Sequence, residues 1–439
     1  MIDPQQALAE HLPALSTQEA LVEANRCLFC FDAPCTHACP THIDVPRFIK
    51  KIATGNLLGS ARTILESNLL GATCARVCPV EELCVGRCVL GAEHKPIAIG
   101  RLQRYATDYV YSRNIDVFSA GPATGHKIAV IGAGPAGLSC AGELARCGHS
   151  VTVFEKRDLA GGLSTYGIIA LREPVEAALA EAEMIRRLGV RIETGMELGR
   201  NLDIHALLAQ FDAVFLAIGL GAGPDMRIIG EEHTVDGLEY IEQSKLDPCH
   251  MKIGRHVAVI GAGNTAIDCA TIAKRLGAER VVMIYRRSRR EMTAYDHEYE
   301  FVKKEGVEFR FLTQPRRVVA VDGAVNGLEC VRMRLGMHDV SGRPAPQPIE
   351  GSEFVLDVDQ VVKAIGQEMT ALTTWLSLET KKGKIRVNDS FETSIPGIYA
   401  GGDCIRSKGA ASTVMGVQDG KLAARAIHER LMARGVNHG

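Results

Sequence analysis

Aromatic residues are scarce in this chain of 439 residues, at 5% of the sequence, with a single tryptophan. Because base-stacking platforms need aromatic side chains, and because the formal net charge is only −2, we expect no nucleic-acid partner. No uninterrupted apolar run reaches the length of a membrane span, so we expect no membrane partner. The first residues, MIDPQQ, lack the basic flank and apolar core of a signal peptide, which predicts a cytoplasmic protein.

Cysteine, by contrast, is abundant, with 14 residues in a protein that we place where structural disulfides rarely persist. Six are scattered singly and are interpreted as small buried hydrophobic residues. The other eight have the spacing C-x2-C-x4-C-x3-C-P and then C-x3-C-P-x4-C-x3-C, and they are Cys27, Cys30, Cys35, Cys39, Cys74, Cys78, Cys84 and Cys88. Two runs that each contain Cys-Pro are similar to those of two-cluster ferredoxins and predict two [4Fe–4S] clusters. Two structural zinc sites of four cysteines each are the alternative.

Local signals predict helices around this block, from residue 1 to about 112. STQEALVEAN begins with a serine N-cap followed three residues later by glutamate, which is a capping box. DVPRFIKKIATGN has Asp44 and Pro46 at a helix start and Gly55 at its end. A linker rich in glycine, proline and alanine, SAGPATGH, follows.

A strand, a glycine turn, a helix and a second strand are predicted in KIAVIGAGPAGLSCAGELARCGHSVTVFEK, residues 127–156. Gly132, Gly134 and Gly137 would let the backbone approach a pyrophosphate at the helix N-terminus, and Glu155 would accept from ribose hydroxyls. The context of strand, turn, helix and acid makes this motif specific for a dinucleotide. A glycine turn that only packs the helix on the strand is the alternative.

The same arrangement returns in HVAVIGAGNTAIDCATIAKRLGAERVVMIYRR, residues 256–287, as an internal repeat. Gly261 and Gly263 are present, and Ala266 takes the third glycine place. Its second strand ends in Arg286 and Arg287, which can pair with a 2′-phosphate. The simplest assignment is therefore FAD in the first unit and NADPH in the second. A solvated basic loop is the alternative for RRSRRE.

The paired units and a late GIYAGGDC resemble the flavoproteins with two dinucleotide domains, in which Asp403 would hold the ribityl chain of FAD. Gly161-Gly162-Leu163 is similar to the flavin-contacting turn, and AIG at 217–219 and 364–366 to the strands between the domains. The resemblance implies an α/β fold with an N-terminal α-helical two-cluster domain and two Rossmann-like domains. We expect the cluster domain at 1–120, a discontinuous FAD domain at 126–240 and 370–439, and an inserted NAD(P) domain at 241–369.

The order of these motifs, with RCLFCFDAPCTHACPTHIDVPRFI, LGATCARVCPVEELCVGRC and KPIAIGRLQRYATD, resembles the electron-input half of dihydropyrimidine dehydrogenase. In bacteria, members of this family often carry that half as a separate subunit. The glutamate synthase small subunit and NADPH–ferredoxin oxidoreductases share the same domain arrangement. The resemblance implies that one cluster is held by Cys27, Cys30, Cys35 and Cys88. It implies Cys39, Cys78, Cys84 and Gln103 for the second, whereas spacing alone assigns Cys74 in place of Gln103.

The same resemblance implies nucleotide contacts. Those to FAD are Gly132, Gly134, Pro135, Ala136, Gly137, Glu155, Gly162, Leu163, Arg172, Gly402, Asp403 and Thr413. Those to NADP, or to NAD, are Gly261, Ala262, Gly263, Asn264, Thr265, Arg286, Arg287, Ala364, Ile365 and Gly366. Thr293 stands where the family has a further basic contact to NADP.

The implied function is an electron relay from NAD(P)H through FAD and two clusters to a partner subunit that carries FMN and Fe–S and reduces uracil or thymine. The sequence identifies no general acid for substrate reduction. After residue 112 it has room for two dinucleotide domains and for no barrel of about 250 residues besides them. Glutamate synthase or a ferredoxin is the alternative partner. A disulfide reductase is a remote alternative, because it needs a C-x-x-C beside a dinucleotide site, and Cys140, Cys147 and Cys269 form no such pair.

Overall fold

The computed structural model describes residues 3–339, 342–369, 376–406 and 412–436. The helices are α1 (Pro4–Ala7), α2 (Thr17–Asn25), α3 (Pro34–Ala38), α4 (Val45–Ala53), α5 (Leu57–Ser67), α6 (Gly71–Val77), α7 (Ile99–Tyr111), α8 (Pro135–Arg146), α9 (Leu163–Tyr166), α10 (Val175–Arg187), α11 (Ile204–Gln210), α12 (Gly237–Leu246), α13 (Asn264–Arg275), α14 (Asp296–Lys304) and α15 (Thr413–Val436). The strands are β1 (Lys127–Ile131), β2 (Ser150–Phe154), β3 (Arg191–Glu193), β4 (Ala213–Leu216), β5 (Val235–Asp236), β6 (His256–Ile260), β7 (Arg280–Ile284), β8 (Glu308–Arg310), β9 (Thr313–Val321), β10 (Ala324–His338), β11 (Pro344–Pro348), β12 (Phe354–Leu356), β13 (Gln360–Lys363), β14 (Thr380–Lys381), β15 (Lys384–Ile385) and β16 (Ile398–Ala400).

The chain folds as two compact units. The larger, here called the cysteine unit, consists of His11–Thr165, Val175–Leu220 and Met369–Gly439. The smaller, the insert unit, consists of Met1–Glu10, Tyr166–Pro174 and Gly221–Glu368. None of the helices in the described part of the chain is both long and apolar enough to cross a membrane.

The N-terminal part of the cysteine unit is helical, as the local signals predict. Ser16 Oγ accepts from the Glu19 N–H at 3.2 Å, and Glu19 Oε2 accepts from the Ser16 N–H at 2.8 Å, so the predicted capping box at α2 is confirmed. Asp44 is the N-cap of α4, because its Oδ1 accepts from the Arg47 N–H at 3.1 Å. The buried faces of α4 and α7 form one apolar core around Phe48.

A parallel sheet of order β16-β4-β1-β2-β3 forms the rest of the cysteine unit. Its β1 and β2 lie in register, with Ile131 opposite Phe154. A single core joins this sheet to α5, α6 and α8, and it includes Leu65, Leu69 and Cys74 beside Val130. The helical cysteine segment and the first dinucleotide sheet are therefore one packed body.

The insert unit repeats the parallel arrangement, with strand order β5-β13-β6-β7-β8. A second sheet, in which β10 pairs with β9, β11 and β12 in antiparallel fashion, completes this unit. The predicted fold class, an N-terminal helical domain followed by two Rossmann-like domains, is confirmed. Residues 221–240 belong to the insert unit, although the sequence assigns them to the FAD domain, and the predicted boundary at 370 lies outside the described residues. The functional domain limits stay a prediction.

Candidate cofactor sites

Four predicted cluster ligands, Cys27, Cys30, Cys35 and Cys88, line one pocket in the cysteine unit. Cys27 follows α2, Cys35 lies in α3, and Cys88 lies between two 3-10 turns. Phe29, between the first two thiols, has a φ of 50°, a left-handed conformation that is costly for a bulky side chain. Such strain concentrates at binding sites. The structure thus brings the first predicted set together around a space that can receive a group.

The second predicted set gathers around Cys78. A hydrogen bond to Cys74, burial, and the nearby thiols of Cys84 and Cys39 together raise the pKa of Cys78 well above its usual value. Gln103 on α7 is 7% exposed, and its Nε2 donates to the first carbonyl of α6 at 2.7 Å, so that Oε1 would be the atom offered to a cluster. Because α6 also carries Cys74, both Cys74 and Gln103 remain candidates for the fourth ligand.

The chemistry of these donors fits an iron–sulfur cluster. Burial raises the pKa of Cys35 to about 11 and that of Cys84 to about 12, and neighbouring thiols add to both shifts. A bound cation removes those protons and the repulsion between the thiolates. The four thiols of the first set surround a cavity, and within the described residues no three metal-binding side chains are close enough to hold a single ion. A group of several atoms fits this arrangement.

The first dinucleotide turn links β1 to α8, and it contains the predicted contacts Gly132, Gly134, Pro135, Ala136 and Gly137. Glu155 directly follows β2 and is 7% exposed. Its Oε2 accepts from the Ala133 N–H at 2.7 Å, and its Oε1 accepts from the Arg157 N–H at 2.9 Å. The carboxylate is thereby fixed beside the turn, and each oxygen keeps a lone pair for a ribose hydroxyl.

Three further predicted contacts lie close to this turn. Gly162 has a φ of 58°, and a Cβ there would lie 2.7 Å from the Gly134 Cα. A Cβ on Gly402 would lie 3.0 Å from the Ala136 Cβ. Leu163 directly follows Gly162 and is the first residue of α9. A cradle of backbone that a side chain would fill, at the start of a helix, fits the pyrophosphate of FAD.

Asp403 lies in the 3-10 turn after β16, and burial raises the pKa of its carboxyl group. Sequence reasoning missed Asp419, a fully buried residue whose Oδ2 accepts from the Gly402 N–H at 3.0 Å and so holds this turn. The signal that could have found it is the pair Gly416 and Gly420. A Cβ on Gly420 would lie 2.1 Å from a carbonyl oxygen of α8, so α15 packs closely there.

Arg172 is predicted as a FAD contact but belongs to the insert unit, whereas Leu163 and Thr413, the first residue of α15, belong to the cysteine unit. The Arg172 guanidinium donates to Asp268 at 2.9 Å and to Glu298 at 2.5 Å. Burial raises the pKa of both carboxyl groups. These contacts occupy the side chain within the insert unit, and its role toward FAD stays a prediction.

The second dinucleotide turn links β6 to α13 and contains Gly261, Ala262 and Gly263, with Asn264 and Thr265 as the first helical residues. Gly261 has a φ of 137°, and a Cβ there would lie 2.1 Å from the carbonyl oxygen of Ala364, which begins the predicted stretch Ala364, Ile365 and Gly366 after β13. The Thr293 N–H donates to the Ala262 carbonyl at 3.3 Å. Asn264 Oδ1 is buried and lacks a hydrogen-bond partner among the described residues. An unpaired acceptor at this position fits a hydroxyl or amide donor of a dinucleotide.

The two arginines after β7 have different surroundings. Arg287 is 3% exposed, donates to Asp339 Oδ2 at 2.6 Å and donates to the Pro344 carbonyl at 3.0 Å. Arg286 has no hydrogen bond or ion pair within the described part of the chain. Burial, together with the charges of Arg287 and Arg343, lowers the pKa of Arg286. The structure therefore leaves Arg286 available for an anion and commits Arg287 to the fold.

Two family models match the chain. Residues 126–427 match the pyridine nucleotide-disulphide oxidoreductases, and residues 5–115 match dihydropyrimidine dehydrogenase domain II, 4Fe-4S cluster. The paired dinucleotide turns and the cysteine segment thus define a flavoprotein with iron–sulfur clusters. The chain belongs to the pyridine nucleotide-disulphide oxidoreductase family, in the branch that carries this N-terminal cluster domain. It is an NAD(P)H-dependent oxidoreductase with FAD, NAD(P) and [4Fe–4S] clusters as cofactors.

Relatives include the NADP(+)-dependent formate dehydrogenase subunit beta of Moorella thermoacetica, 39% identical over 91% of this chain, which spans 60% of that protein's length. The NAD-dependent dihydropyrimidine dehydrogenase subunit PreT of Escherichia coli is 33% identical over 98% of both chains. The glutamate synthase [NADPH] small chain of Escherichia coli is 33% identical over 94% of this chain and 91% of its own. All three are named as parts of larger assemblies.

Solved structures share the fold. FprA from Mycobacterium tuberculosis in complex with NADPH has a TM-score of 0.59 and 17% identity, covering 72% of this chain and 86% of its own. The thioredoxin reductase of T. acidophilum has a TM-score of 0.54 and 21% identity, covering 70% of this chain and 99% of its own. Identities this low establish the fold alone.

Proposed function

We propose that this chain is the electron-input subunit of a pyrimidine reductase. When bound, FAD would take a hydride from NAD(P)H and release its electrons singly through two [4Fe–4S] clusters. These would reach a partner subunit that carries FMN and Fe–S and reduces uracil or thymine to the 5,6-dihydro form. In this scheme the residues of the chain bind and orient the cofactors, and the partner supplies the protons for the pyrimidine.

The observation that carries the proposal is the shared core of the cysteine segment and the first dinucleotide sheet. Leu69 and Cys74 pack in the same core as Val130. Glu181 on α10 also joins them, because its Oε1 accepts from the N–H groups of Ala72 at 2.7 Å and Thr73 at 3.1 Å, at the start of α6. A cluster domain fixed this firmly beside a flavin fold supports electron transfer between them.

The test is anaerobic co-purification of the chain with the product of the adjacent gene, followed by an assay of NAD(P)H-dependent uracil and thymine reduction. We expect FAD and about eight irons per chain, as two [4Fe–4S] clusters require. The pyrimidine assignment would be contradicted if the holoprotein, assayed with a partner subunit that carries FMN, reduces an artificial acceptor but no pyrimidine. Two zinc ions per chain without iron would contradict the relay itself.

A second candidate is electron exchange between NADP(H) and a formate-oxidising partner. The relative at 39% identity, a formate dehydrogenase subunit, favours it, although this chain spans only 60% of that relative. Glutamate synthesis is a further alternative, and the same holoprotein separates all three because each needs a different partner subunit and different substrates. The substrates are formate with NADP⁺, glutamine with 2-oxoglutarate, or uracil with NAD(P)H.

A further inference from the structure

Lys421, on α15, is a buried cation outside the predicted cofactor contacts. It is 7% exposed, and its Nζ donates to the Ser67 carbonyl at 2.7 Å and to the Thr41 carbonyl at 3.4 Å. Ser67 is the last residue of α5, so its carbonyl lies at the negative end of that helix. Because these acceptors are fixed backbone groups, the ammonium charge is held in one place.

The position of this charge is next to the second cysteine set. Thr41 is 1% exposed, and its Oγ1 lies 3.3 Å from Cys39 Sγ. Burial lowers the pKa of Lys421, and the negative charges of Glu143 and Cys39 act in the opposite direction and favour its ammonium form. Glu143 and Arg146 lie on α8 and Arg425 lies on α15, and the charges of both arginines also act on Lys421. Glu143 Oε2 lies 3.3 Å from Arg146 Nη1, and Arg146, Lys421 and Arg425 all act on this carboxyl group.

The helix that carries Lys421 also reaches the predicted FAD site. It begins at Thr413 and then places Asp419, which holds the backbone of Gly402, two residues before Lys421. Lys421 is the eighth residue after Thr413 in this helix, which places it roughly 12 Å further along the axis. One rigid element therefore connects the flavin turn to the cation beside Cys39.

We propose that Lys421 raises the reduction potential of the cluster held through Cys39 and so favours its reduction by electrons from FAD. The inference rests on the proposed relay. In each transfer, FAD that NAD(P)H has reduced loses one electron and the cluster gains that electron. Because the reduced cluster carries one more negative charge, a buried cation stabilises it relative to the oxidised form.

The test is a redox titration of both clusters, followed by electron paramagnetic resonance, in wild type and in Lys421→Met. The cluster held through Cys39 is identified as the one whose signal disappears in Cys39→Ala. In Lys421→Met we expect the ratio of reduced to oxidised form of that cluster to fall about tenfold at a fixed potential, which is a shift of about −59 mV for one electron. The other cluster should keep its potential, and Lys421→Arg should restore that of the first.

Lys51→Met is the matched control, because Lys51 Nζ donates to the Gly59 carbonyl at 3.0 Å near the opposite end of α5. It removes a similar lysine–carbonyl contact, and we expect neither potential to move. In stopped-flow experiments, flavin reduction by NAD(P)H should be unchanged in Lys421→Met while cluster reduction slows.

Three results would overturn the proposal: an unchanged potential in Lys421→Met with iron intact, an equal shift of both clusters, or an equal shift in Lys51→Met. If Lys421→Met loses iron, the titration uses Lys421→Gln and Lys421→Arg, and loss of iron in all three shows a structural role instead. Wild-type protein without iron would refute the proposed relay before any variant is measured, so the two failures are distinct.

Discussion

Replacing Arg286 by alanine is the most direct test of nucleotide choice. Arg286 lies two residues after β7, where the second strand of a dinucleotide-binding unit meets the adenosine ribose. Burial and the charges of Arg287 and Arg343 disfavour its guanidinium cation, Tyr285 and Asp339 act in the opposite direction, and within the described residues Arg286 forms no ion pair. A 2′-phosphate would supply the missing negative charge, so we expect wild-type protein to prefer NADPH to NADH.

The size of the effect follows from one charge-assisted hydrogen bond, which contributes roughly 1.5–3 kcal/mol. That range corresponds to roughly ten- to a hundredfold in affinity. In Arg286→Ala we expect KM for NADPH to rise by this factor while KM for NADH barely changes. Steady-state kinetics with an artificial electron acceptor measure both constants without the partner subunit.

Arg287 provides the matched control, since its side chain is buried and its ion pair with Asp339 gives it a structural role. Arg287→Ala removes the donor of two hydrogen bonds, so it should lower the unfolding temperature and leave the ratio of the two KM values near that of wild type. Arg286→Ala, at an exposed site without an ion pair among the described residues, should leave the unfolding temperature near that of wild type. A wild-type preference for NADH, or equal shifts of both KM values in Arg286→Ala, would refute the assignment of Arg286.

Local patterns predicted the parts of the fold that depend on neighbours in the chain. The capping box at Ser16 and the strand–glycine–helix repeats are set within a few residues to a few tens of residues, and the structure has them where the sequence places them. The antiparallel sheet around β10 was not predicted. Its pairing joins Glu329 to Val355, and such register depends on contacts distant in sequence.

The candidate sites show the same division. The sequence treats Arg286 and Arg287 as equivalent, but the structure separates them because Asp339, 52 residues further on, binds only Arg287. Lys421 and Asp419 carry no motif of their own. Their importance comes from α15 crossing α8, which brings residues near the end of the chain against the first dinucleotide turn and the cysteine segment.

Three further predictions concern the clusters, the flavin and acid stability. Cys39→Ala should remove one cluster and about half of the iron, whereas Cys74→Ala should leave the iron content intact. Loss of iron in Cys74→Ala would mean that cysteine spacing identifies the fourth ligand better than the family pattern does. Gly162→Ala should lose FAD absorbance because its Cβ would lie 2.7 Å from backbone, whereas Gly189→Ala, with a φ of 90° and nothing within 4 Å, should keep FAD. The last prediction is a loss of stability in acid. His149 is 5% exposed and forms hydrogen bonds with Thr124 at 2.7 Å and with His428 at 2.9 Å. Burial, and then the charges of His428 and His126, lower its pKa to about 4, although the charge of Asp212 acts in the opposite direction. The unfolded chain binds this proton near pH 6.5 and the folded chain near pH 4, so the stabilisation is complete above pH 6.5 and is lost as pH falls toward 4. Between pH 7 and 5 the loss is about 2 kcal/mol, and His149→Gln should reduce it when urea unfolding is followed at both pH values. Equal losses in the variant and in wild type would show that other groups govern the acid response.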